Sequence, residues 1–171
     1  MFKIVEKSLL AENIYKLRIE APRVAQSALP GQFVIVRVDE QGERVPLTIA
    51  DFDKEDGTVT IVIQTIGAST KKLCALNEGD SIADFAGPLG RPSEFIHMPK
   101  EELKARKYIF VAGGVGTAPV YPQVKWLHEQ GVDPRVSRIT LEYKRPLRGG
   151  DRFVVCINML RKGAKVVFQQ D

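Results

Sequence analysis

Apolar and polar residues alternate along short segments of the first part of the chain, with clusters of Gly, Pro, Asn and Asp between them. Alternation with a period of two is typical of a β-strand that buries one face. The pattern predicts strands over residues 2–7, 14–19, 33–38, 46–49, 58–64 and 81–85. Residues 69–76 fit a short helix. Six antiparallel strands at this spacing predict a Greek-key β-barrel, closed or partly closed, over residues 1–100.

A different pattern follows the predicted barrel. Residues 108–112 form a continuous apolar run, which is typical of a parallel strand buried on both faces. A glycine-rich loop and a helix come next, with Thr117 as a candidate N-cap and Gly131 as a candidate C-terminal glycine. A strand, a glycine loop and a helix together predict the start of an α/β nucleotide-binding domain over residues 101–134.

The final segment, residues 135–171, has a basic composition and an uncertain structure. It contains nine Lys or Arg and three Asp or Glu, whereas the rest of the chain has a small negative net charge. Strand-like stretches at residues 139–143, 152–159 and 164–168 predict a β-meander. A doubly wound domain needs roughly 100 residues or more, so we expect a truncated nucleotide-binding domain. An alternative hypothesis is that the segment is foreign to what precedes it, as after a frameshift.

The composition places the chain among ordinary globular proteins, with 44% hydrophobic and 27% charged residues. No apolar run reaches the roughly 20 residues of a membrane-spanning helix, and the start of the chain lacks a signal-peptide pattern. We therefore expect a cytoplasmic protein without membrane insertion. Cys74 and Cys156 form no CxxC pattern, which favours neither a metal site nor a disulfide. The charge of +4 comes from the basic segment, which lacks interleaved aromatic residues, so we expect no nucleic-acid binding.

Two segments could bind phosphate groups at the start of a helix. Glycines at such a place let backbone N–H groups approach a phosphate, where the helix dipole favours negative charge. One segment is Gly67-Ala-Ser-Thr70, for which a simple capping motif is the alternative interpretation. The other is the glycine loop, in which Pro119 stands where the dinucleotide fingerprint has Gly or Ala, so a tight structural turn is the alternative. This loop contains Gly113, Gly114, Gly116 and Thr117.

A third segment, Arg44-Val-Pro-Leu-Thr48, combines a cation with a strand. An Arg can form a bidentate pair with a phosphate, and the residues after it can lie along a flat ring and hydrogen-bond its edge. Alone this pattern is weak evidence, since an Arg beside a strand is usually only solvated. His97 and His128 are isolated, and no nucleophile stands next to a base, so we predict no catalytic side chain.

The order of these segments resembles the ferredoxin-NADP reductase superfamily. Arg-x-Pro-x-Thr is followed by Gly-x-Ser-Thr, by Gly87-Pro-Leu-Gly90, and then by a strand and Gly-Gly-Val-Gly-Thr-Ala-Pro. The resemblance extends over residues 1–134. It is closest to FAD/NAD(P)-binding electron-transfer subunits, such as those of dihydroorotate dehydrogenase, sulfide dehydrogenase and NADH-dependent ferredoxin-NADP oxidoreductase.

The resemblance implies FAD as a cofactor and NAD(P)H as an electron donor or acceptor. Hydride would pass between the nicotinamide and flavin N5, and electrons would reach a ferredoxin, iron–sulfur or flavin partner in a hetero-oligomer. It implies that Arg44 holds the flavin phosphate and that the isoalloxazine is lined by Pro46, Leu47 and Thr48. It implies a diphosphate site at Gly67, Ser69 and Thr70, and a nicotinamide dinucleotide site at Gly113, Gly114, Gly116 and Thr117.

Two departures from the family bear on these expectations. Ser69 stands where many relatives have Gly, which is a mild change because Ser can also cap a helix. Cys156 stands alone and is not followed by Gly-Pro, so we expect neither the family's late loop near the hydride nor an iron–sulfur cluster in this chain. A second hypothesis is therefore a non-catalytic docking or assembly module, or an inactive truncated reductase, that binds only FAD or a partner subunit.

Overall fold

A computed structural model of the chain describes residues 1–132 and 134–137. Seven antiparallel strands curl into a barrel-like sheet, and two short parallel strands belong to the segment after it. The strands are β1 (Phe2–Ala11), β2 (Ile14–Glu20), β3 (Phe33–Arg37), β4 (Val45–Asp53), β5 (Thr58–Gln64), β6 (Ser81–Ile82), β7 (Asp84–Leu89), β8 (Ile109–Val111) and β9 (Arg135–Ser137). The helices are α1 (Pro22–Ser27), α2 (Ala68–Ala75), α3 (Lys100–Ala105) and α4 (Thr117–Glu129), with 3₁₀ turns at Glu94–His97 and Gly114–Gly116.

The predicted barrel is confirmed, with a correction to the number of strands. The first five predicted strands correspond to β1–β5, but the sixth, residues 81–85, divides into β6 and β7. The chain changes partner there: Ile82 lies opposite Phe2 of β1, and Phe85 lies opposite Val36 of β3. Apolar residues continue on both sides of the division, so hydrophobicity alone does not reveal it. The prediction of six strands is therefore wrong, and the sheet has seven.

Strand β4 changes partner along its length, and this opens one end of the barrel. Its first four residues pair with β3, and its later residues pair with β5. A register shift between Ile49 and Asp51 marks the change, as a β-bulge does. The pairing of β4 with β5 stops at Ile61, whereas residues 62–64 of β5 continue to pair with β2. Residues 46–48 of β4 therefore have β3 beside them but no pairing with β5 on their other side. This gap between β4 and β5, beside Pro46, Leu47 and Thr48, is the open end of the barrel.

The barrel interior is filled by aliphatic side chains that point inward from the strands. In β5 the buried residues alternate with partly exposed ones, as the pleat of a strand requires. Helix α1, which the hydrophobic pattern did not reveal, adds Val24 and Ala25 to the same core. The cluster includes Ile4, Leu17, Ile19, Val34, Val36, Ile49, Val59, Ile61, Ile63 and Leu73.

The Gly87–Gly90 segment packs against the start of β3. A Cβ at Gly87 would lie 2.7 Å from Val34 Cγ1, so the close approach of the two strands requires glycine. The buried Gln32 side chain donates to the carbonyl oxygen of Gly90 at 3.0 Å and accepts the N–H of Leu29 at 2.9 Å. These contacts give the segment a structural role in packing β7 against β3.

The segment after the barrel contains the expected strand, glycine loop and helix in that order. β8 pairs with β9 in parallel. Helix α4 begins at Thr117 with Gly116 as its N-cap, so the N-cap prediction is wrong by one residue. Gly131 has a φ of +75°, and its N–H donates to the carbonyl oxygen of His128 at 2.9 Å. Gly131 therefore ends α4 in a left-handed conformation, as predicted.

A second, smaller core lies between α3, β8 and α4. Its buried residues are Phe95, Leu103, Leu127 and Val132. The division of the chain into residues 1–100, 101–134 and 135–171 stays a prediction. In the last of these ranges the structure describes β9, and the strands predicted over residues 139–168 lie outside the described residues.

The described part of the chain shows neither a metal cluster nor a membrane-spanning helix. No helix there is both long and apolar enough to cross a membrane. Residues 1–132 and 134–137 also contain no group of three or more His, Cys, Asp or Glu side chains placed to hold a metal ion. Cys74 is buried on α2, and this burial raises the pKa of its thiol. Cys156 lies outside the described residues.

The ion pair that joins β3 to β7 is expected to make stability depend on pH. Arg37 Nε lies 2.5 Å from Asp84 Oδ2, and this hydrogen bond holds the pKa of Asp84 below its ordinary value. The pair therefore stabilises the fold above the unfolded-state pKa of about 3.9, and its contribution is lost as the pH falls through the lower folded-state pKa. We expect Asp84→Asn to lower the urea midpoint at neutral pH and to match the parent protein in strong acid. A deficit of the same size at both pH values would contradict this assignment.

Candidate functional site

The turn before α2 holds three of the predicted site residues. Gly67 is the N-cap of α2, and Ser69 and Thr70 lie in its first turn. The Thr70 hydroxyl accepts the backbone N–H groups of Ile66 and Gly67, both at 3.1 Å, and donates to the carbonyl oxygen of Gly67 at 3.0 Å. The first N–H groups of a helix lack intrahelical partners and carry partial positive charge, so they attract an anion. The hydroxyl of Thr70 thus fixes the shape of a turn suited to a phosphate.

Replacing Thr70 by valine is expected to loosen this turn. The change keeps the shape of the side chain but removes the hydroxyl, so the free energy of unfolding should fall by about 1 kcal/mol, the usual cost of losing a helix cap. Thr70→Ser keeps the hydroxyl and is the matched control. Urea unfolding of the three proteins measures the effect, and equal midpoints for the two variants would refute this role of the hydroxyl.

The loop between β3 and β4 lies against the start of α2. Ser69 Oγ donates to Glu43 Oε2 at 2.6 Å, across 26 positions of sequence. Lys72, further along α2, forms an ion pair with Asp39 from the same loop. Because Arg44 follows Glu43 directly, these contacts place Arg44 beside the predicted diphosphate turn.

The side chain of Arg44 is accessible to a ligand. It is 65% exposed, and its Nη2 atom lies 3.6 Å from Asp84 Oδ2. That carboxylate already accepts a 2.5 Å hydrogen bond from Arg37, so it engages Arg44 only at long range. The planar guanidinium, with several N–H donors on one side, suits a phosphate group.

The predicted ring-binding residues lie on the part of β4 that pairs with β3. They stand opposite residues 33–35 of that strand. Pro46 is exposed, and Leu47 and Thr48 are partly exposed, whereas Ile49 is buried in the barrel core. The segment therefore presents a mixed apolar and hydroxyl surface at the open end of the barrel.

The glycine loop forms the exposed turn that leads into α4. Gly114 has a φ of +56°, a left-handed conformation that favours glycine, and a Cβ there would meet no atom within 4 Å. Thr117 Oγ1 donates to the carbonyl oxygen of Gly114 at 2.6 Å. The N–H of Gly116 donates to the carbonyl oxygen of Gly113 at 3.0 Å. The loop is therefore open to solvent above an internally bonded turn.

A groove of about 560 Å³ separates the glycine loop from the outer face of the barrel. One wall consists of Gly114, Thr117 and Tyr121, and the facing wall is formed by β1, β2, β4 and β5. Ala50 contributes from β4, two positions beyond Thr48. The strand that carries the predicted ring-binding residues thus continues into this groove.

Two polar contacts hold α4 against the barrel. Lys125 Nζ lies 2.8 Å from Asp51 Oδ1, and Ser93 Oγ donates to Gln123 Oε1 at 2.9 Å. Partial burial alone would lower the pKa of Lys125, but the hydrogen bond and charge of Asp51 outweigh it and raise that pKa. Because Asp51 follows Ala50 on β4, the Lys125 contact positions the glycine loop relative to the same strand.

The predicted residues fall into groups that β4 connects. Arg44 lies with Gly67, Ser69 and Thr70 at one end, and the strand then leads past residues 46–48 to the groove under the glycine loop. Of the predicted loop residues Gly113, Gly114, Gly116 and Thr117, the structure places Gly114 and Thr117 in the lining of this groove. The roles of all these residues in binding a ligand stay predictions.

Glu43 and Ile66, near the α2 turn, were not predicted from the sequence. Glu43 accepts the hydroxyl of Ser69, and Ile66 is 75% exposed in the turn before α2. An exposed apolar side chain inside a polar, glycine-containing turn is a signal that could have singled out Ile66. Glu43 gives no such signal, because its contact depends on how two distant segments pack.

Comparison with known proteins identifies the first part of the chain. Residues 1–93 match the family described as oxidoreductase FAD-binding domain. An uncharacterized protein in the adh 3′ region of Clostridium beijerinckii is 67% identical over 132 residues, which cover 77% of this chain and 45% of that protein. A dihydroorotate dehydrogenase B (NAD(+)) electron transfer subunit homolog of Thermotoga maritima is 42% identical over 129 residues, covering 75% of this chain and 43% of that protein. The chain therefore spans less than half the length of these relatives.

Solved structures show the same fold. The structure of an NADH-dependent reduced ferredoxin-NADP oxidoreductase, studied for flavin-based electron bifurcation, matches with a TM-score of 0.70 and 41% identity. The match covers 77% of this chain and 45% of that one. Phthalate dioxygenase reductase matches with a TM-score of 0.60 and 21% identity, over 78% of this chain and 40% of the other, which shows a shared fold.

Proposed function

The chain belongs to the oxidoreductase FAD-binding domain family, and from this premise we propose that it transfers electrons between NAD(P)H and a redox partner through bound FAD. The course of β4 carries the proposal. The strand starts after Arg44 beside the α2 turn, presents residues 46–48 at the open end of the barrel, and reaches the groove at Ala50. FAD has a diphosphate and a flat ring, and the nicotinamide must lie next to that ring. Binding both therefore needs a phosphate site, a ring site and a nicotinamide site, side by side in this order.

The diphosphate end of FAD would be held by the α2 turn and by Arg44. The turn offers backbone N–H groups and the Ser69 hydroxyl, and Arg44 offers a cation with several donors. Thr70 would act indirectly, because its hydroxyl is already bonded within the turn at 3.0–3.1 Å. The exposure of Arg44 and of the turn fits an extended anionic group at the surface.

The ring of FAD would lie on the open end of the barrel. Pro46, which is exposed, would lie against one face of the ring, and Leu47 would line the ring along the strand. The Thr48 hydroxyl can donate to or accept from a ring nitrogen or oxygen. When bound, FAD supplies the atom that accepts hydride and releases electrons singly or in pairs. The residues of this chain would contribute orientation and exclusion of water. That no side chain acts as a catalytic acid or base stays a prediction.

The nicotinamide would enter the groove between the glycine loop and the barrel. Gly114 is exposed on this wall, and Thr117 and Tyr121 supply hydroxyls there. The contact of Lys125 with Asp51 would keep this wall at a fixed distance from the ring-binding strand. Small displacements matter here, because hydride transfer requires close and aligned reactants.

The acceptor would be a second redox protein. The Thermotoga maritima relative is named an electron transfer subunit homolog, and the oxidoreductase of known structure is named for NADH, ferredoxin and NADP. We infer that this chain also works as a subunit that passes electrons to a ferredoxin, iron–sulfur or flavin partner. The prediction that the chain itself carries no iron–sulfur cluster stays open to test by metal analysis.

The proposal is tested by a visible spectrum of the purified protein after soaking with FAD and desalting, followed by anaerobic NADH and then NADPH. We expect retained flavin that is bleached by one of the two nucleotides. Retained flavin that neither nucleotide bleaches would reject hydride transfer by this chain while leaving FAD binding intact. Absence of flavin would favour the hypothesis of a docking or assembly module.

A further inference from the structure

Three positive or donor side chains around the α2 turn already contact a carboxylate. Ser69 donates to Glu43 at 2.6 Å, Arg44 lies 3.6 Å from Asp84, and Lys72 pairs with Asp39. Ser69 and Arg44 are the side chains that the proposed function assigns to the phosphates of FAD. A phosphate and a carboxylate need the same donors, so the two anions compete for them.

Glu43 is the carboxylate best placed to compete. Asp84 is fixed by its hydrogen bond to Arg37 at 2.5 Å, and Asp39 accepts the N–H of Gln41 at 3.2 Å from its own loop. Glu43 is exposed, and its hydrogen bond goes directly to the Ser69 hydroxyl at the start of the helix. Its carboxylate can therefore either accept the hydrogen bond of the Ser69 hydroxyl or rotate away into solvent.

We propose that Glu43 is a built-in competitor for the diphosphate of FAD, and that it weakens the cofactor affinity of the site. This rests on the proposed diphosphate role of Ser69. In the ligand-free protein the carboxylate satisfies the Ser69 hydroxyl. When the diphosphate binds, Glu43 must release this hydrogen bond, and its negative charge then repels the phosphates at short range.

The variant Glu43→Gln tests the charge, and Glu43→Ala tests both the charge and the hydrogen bond. We expect the Kd for FAD to fall by about three- to tenfold in both variants at low ionic strength, and the gain to shrink in about 0.5 M salt because exposed charges are screened. Titration of the apoprotein, followed by flavin fluorescence, measures the Kd. Glu43→Gln binding FAD as weakly as the parent protein, or more weakly, would overturn the inference.

Glu20→Gln is the matched control, because it makes the same change in net charge at a distance. Glu20 pairs with Thr58 at the start of β5, whereas the α2 turn follows the end of that strand, roughly 20 Å away at 3.3 Å per residue. We expect its Kd to equal that of the parent. A gain as large as that of Glu43→Gln would show a general charge effect and contradict local competition.

The Ser69→Ala background separates competition for the hydroxyl from plain repulsion. Without the hydroxyl, Glu43→Ala should improve the Kd by less than it does in the parent, and an undiminished gain would contradict competition at Ser69. These titrations need no nicotinamide. Failure of NADH and NADPH to bleach the flavin would therefore refute the proposed hydride transfer without affecting the result for Glu43.

Discussion

Replacing Gly31 by alanine is expected to lower the free energy of unfolding by about 2–4 kcal/mol. Gly31 has a φ of +93°, where a Cβ costs about 1–2 kcal/mol. That Cβ would lie 2.6 Å from Ser93 Oγ and 2.9 Å from the Ser93 backbone nitrogen. The hydroxyl can rotate away, but the Ser93 N–H is bonded to the carbonyl oxygen of Pro30 at 2.9 Å, so main chain must move. Urea unfolding monitored by tryptophan fluorescence measures the loss.

Gly79→Ala is a close control for this prediction. Gly79 has nearly the same φ, +92°, but a Cβ there would meet no atom within 4 Å. The control therefore carries the conformational cost of about 1–2 kcal/mol without the steric clash. The difference between the two variants isolates the contact with Ser93. Equal losses of stability would mean that the clash is relieved without cost, contrary to expectation.

The same contact connects a turn of the barrel to the helix after the glycine loop. Ser93 Oγ donates to Gln123 on α4. A shift of Ser93 away from Gly31 would therefore strain this hydrogen bond or displace the helix. Together with the pair of Lys125 and Asp51, this hydrogen bond sets where α4 lies against β4. Gly31 thus contributes, through Ser93 and α4, to the shape of the proposed nicotinamide groove.

The barrel could be predicted from sequence because strand alternation is a local property. In β5 the residues Val59, Ile61 and Ile63 face the core, and their spacing of two is visible without any knowledge of partners. The division of the sixth predicted strand was not visible, because it depends on which strand each half meets. Helix α1 was not predicted, because its six residues are too few to show a helical period.

The candidate site was predictable only as far as its residues are adjacent in sequence. Glycines before a helix and an Arg before a strand indicate phosphate chemistry locally, and the order of the segments indicated the family. The contact of Ser69 with Glu43 spans 26 positions, and that of Lys125 with Asp51 spans 74. Neither leaves a periodic signal, because each arises from the packing of separate segments. The competing carboxylate and the attachment of α4 therefore required the structure.

Replacing Arg44 by alanine is expected to raise the Kd for FAD by about tenfold to a hundredfold. This corresponds to the loss of a charge-assisted hydrogen bond to a phosphate, worth about 1.5–3 kcal/mol. Arg44 is 65% exposed, so the free energy of unfolding without FAD should change by less than about 0.5 kcal/mol. Flavin retained after desalting and the Kd from fluorescence titration measure the effect. Arg44→Lys keeps the charge without the planar fork and should give an intermediate Kd.

Arg106→Ala is the matched control for the Arg44 variants. Arg106 is 52% exposed and pairs with a single carboxylate, that of Glu102, on α3. It therefore makes the same change in net charge outside the proposed flavin site, and its Kd for FAD should equal that of the parent. Equal Kd values for Arg44→Ala and Arg106→Ala would mean that the Arg44 guanidinium makes no specific contact with a phosphate. The proposed placement of FAD along β4 would then lose its main support.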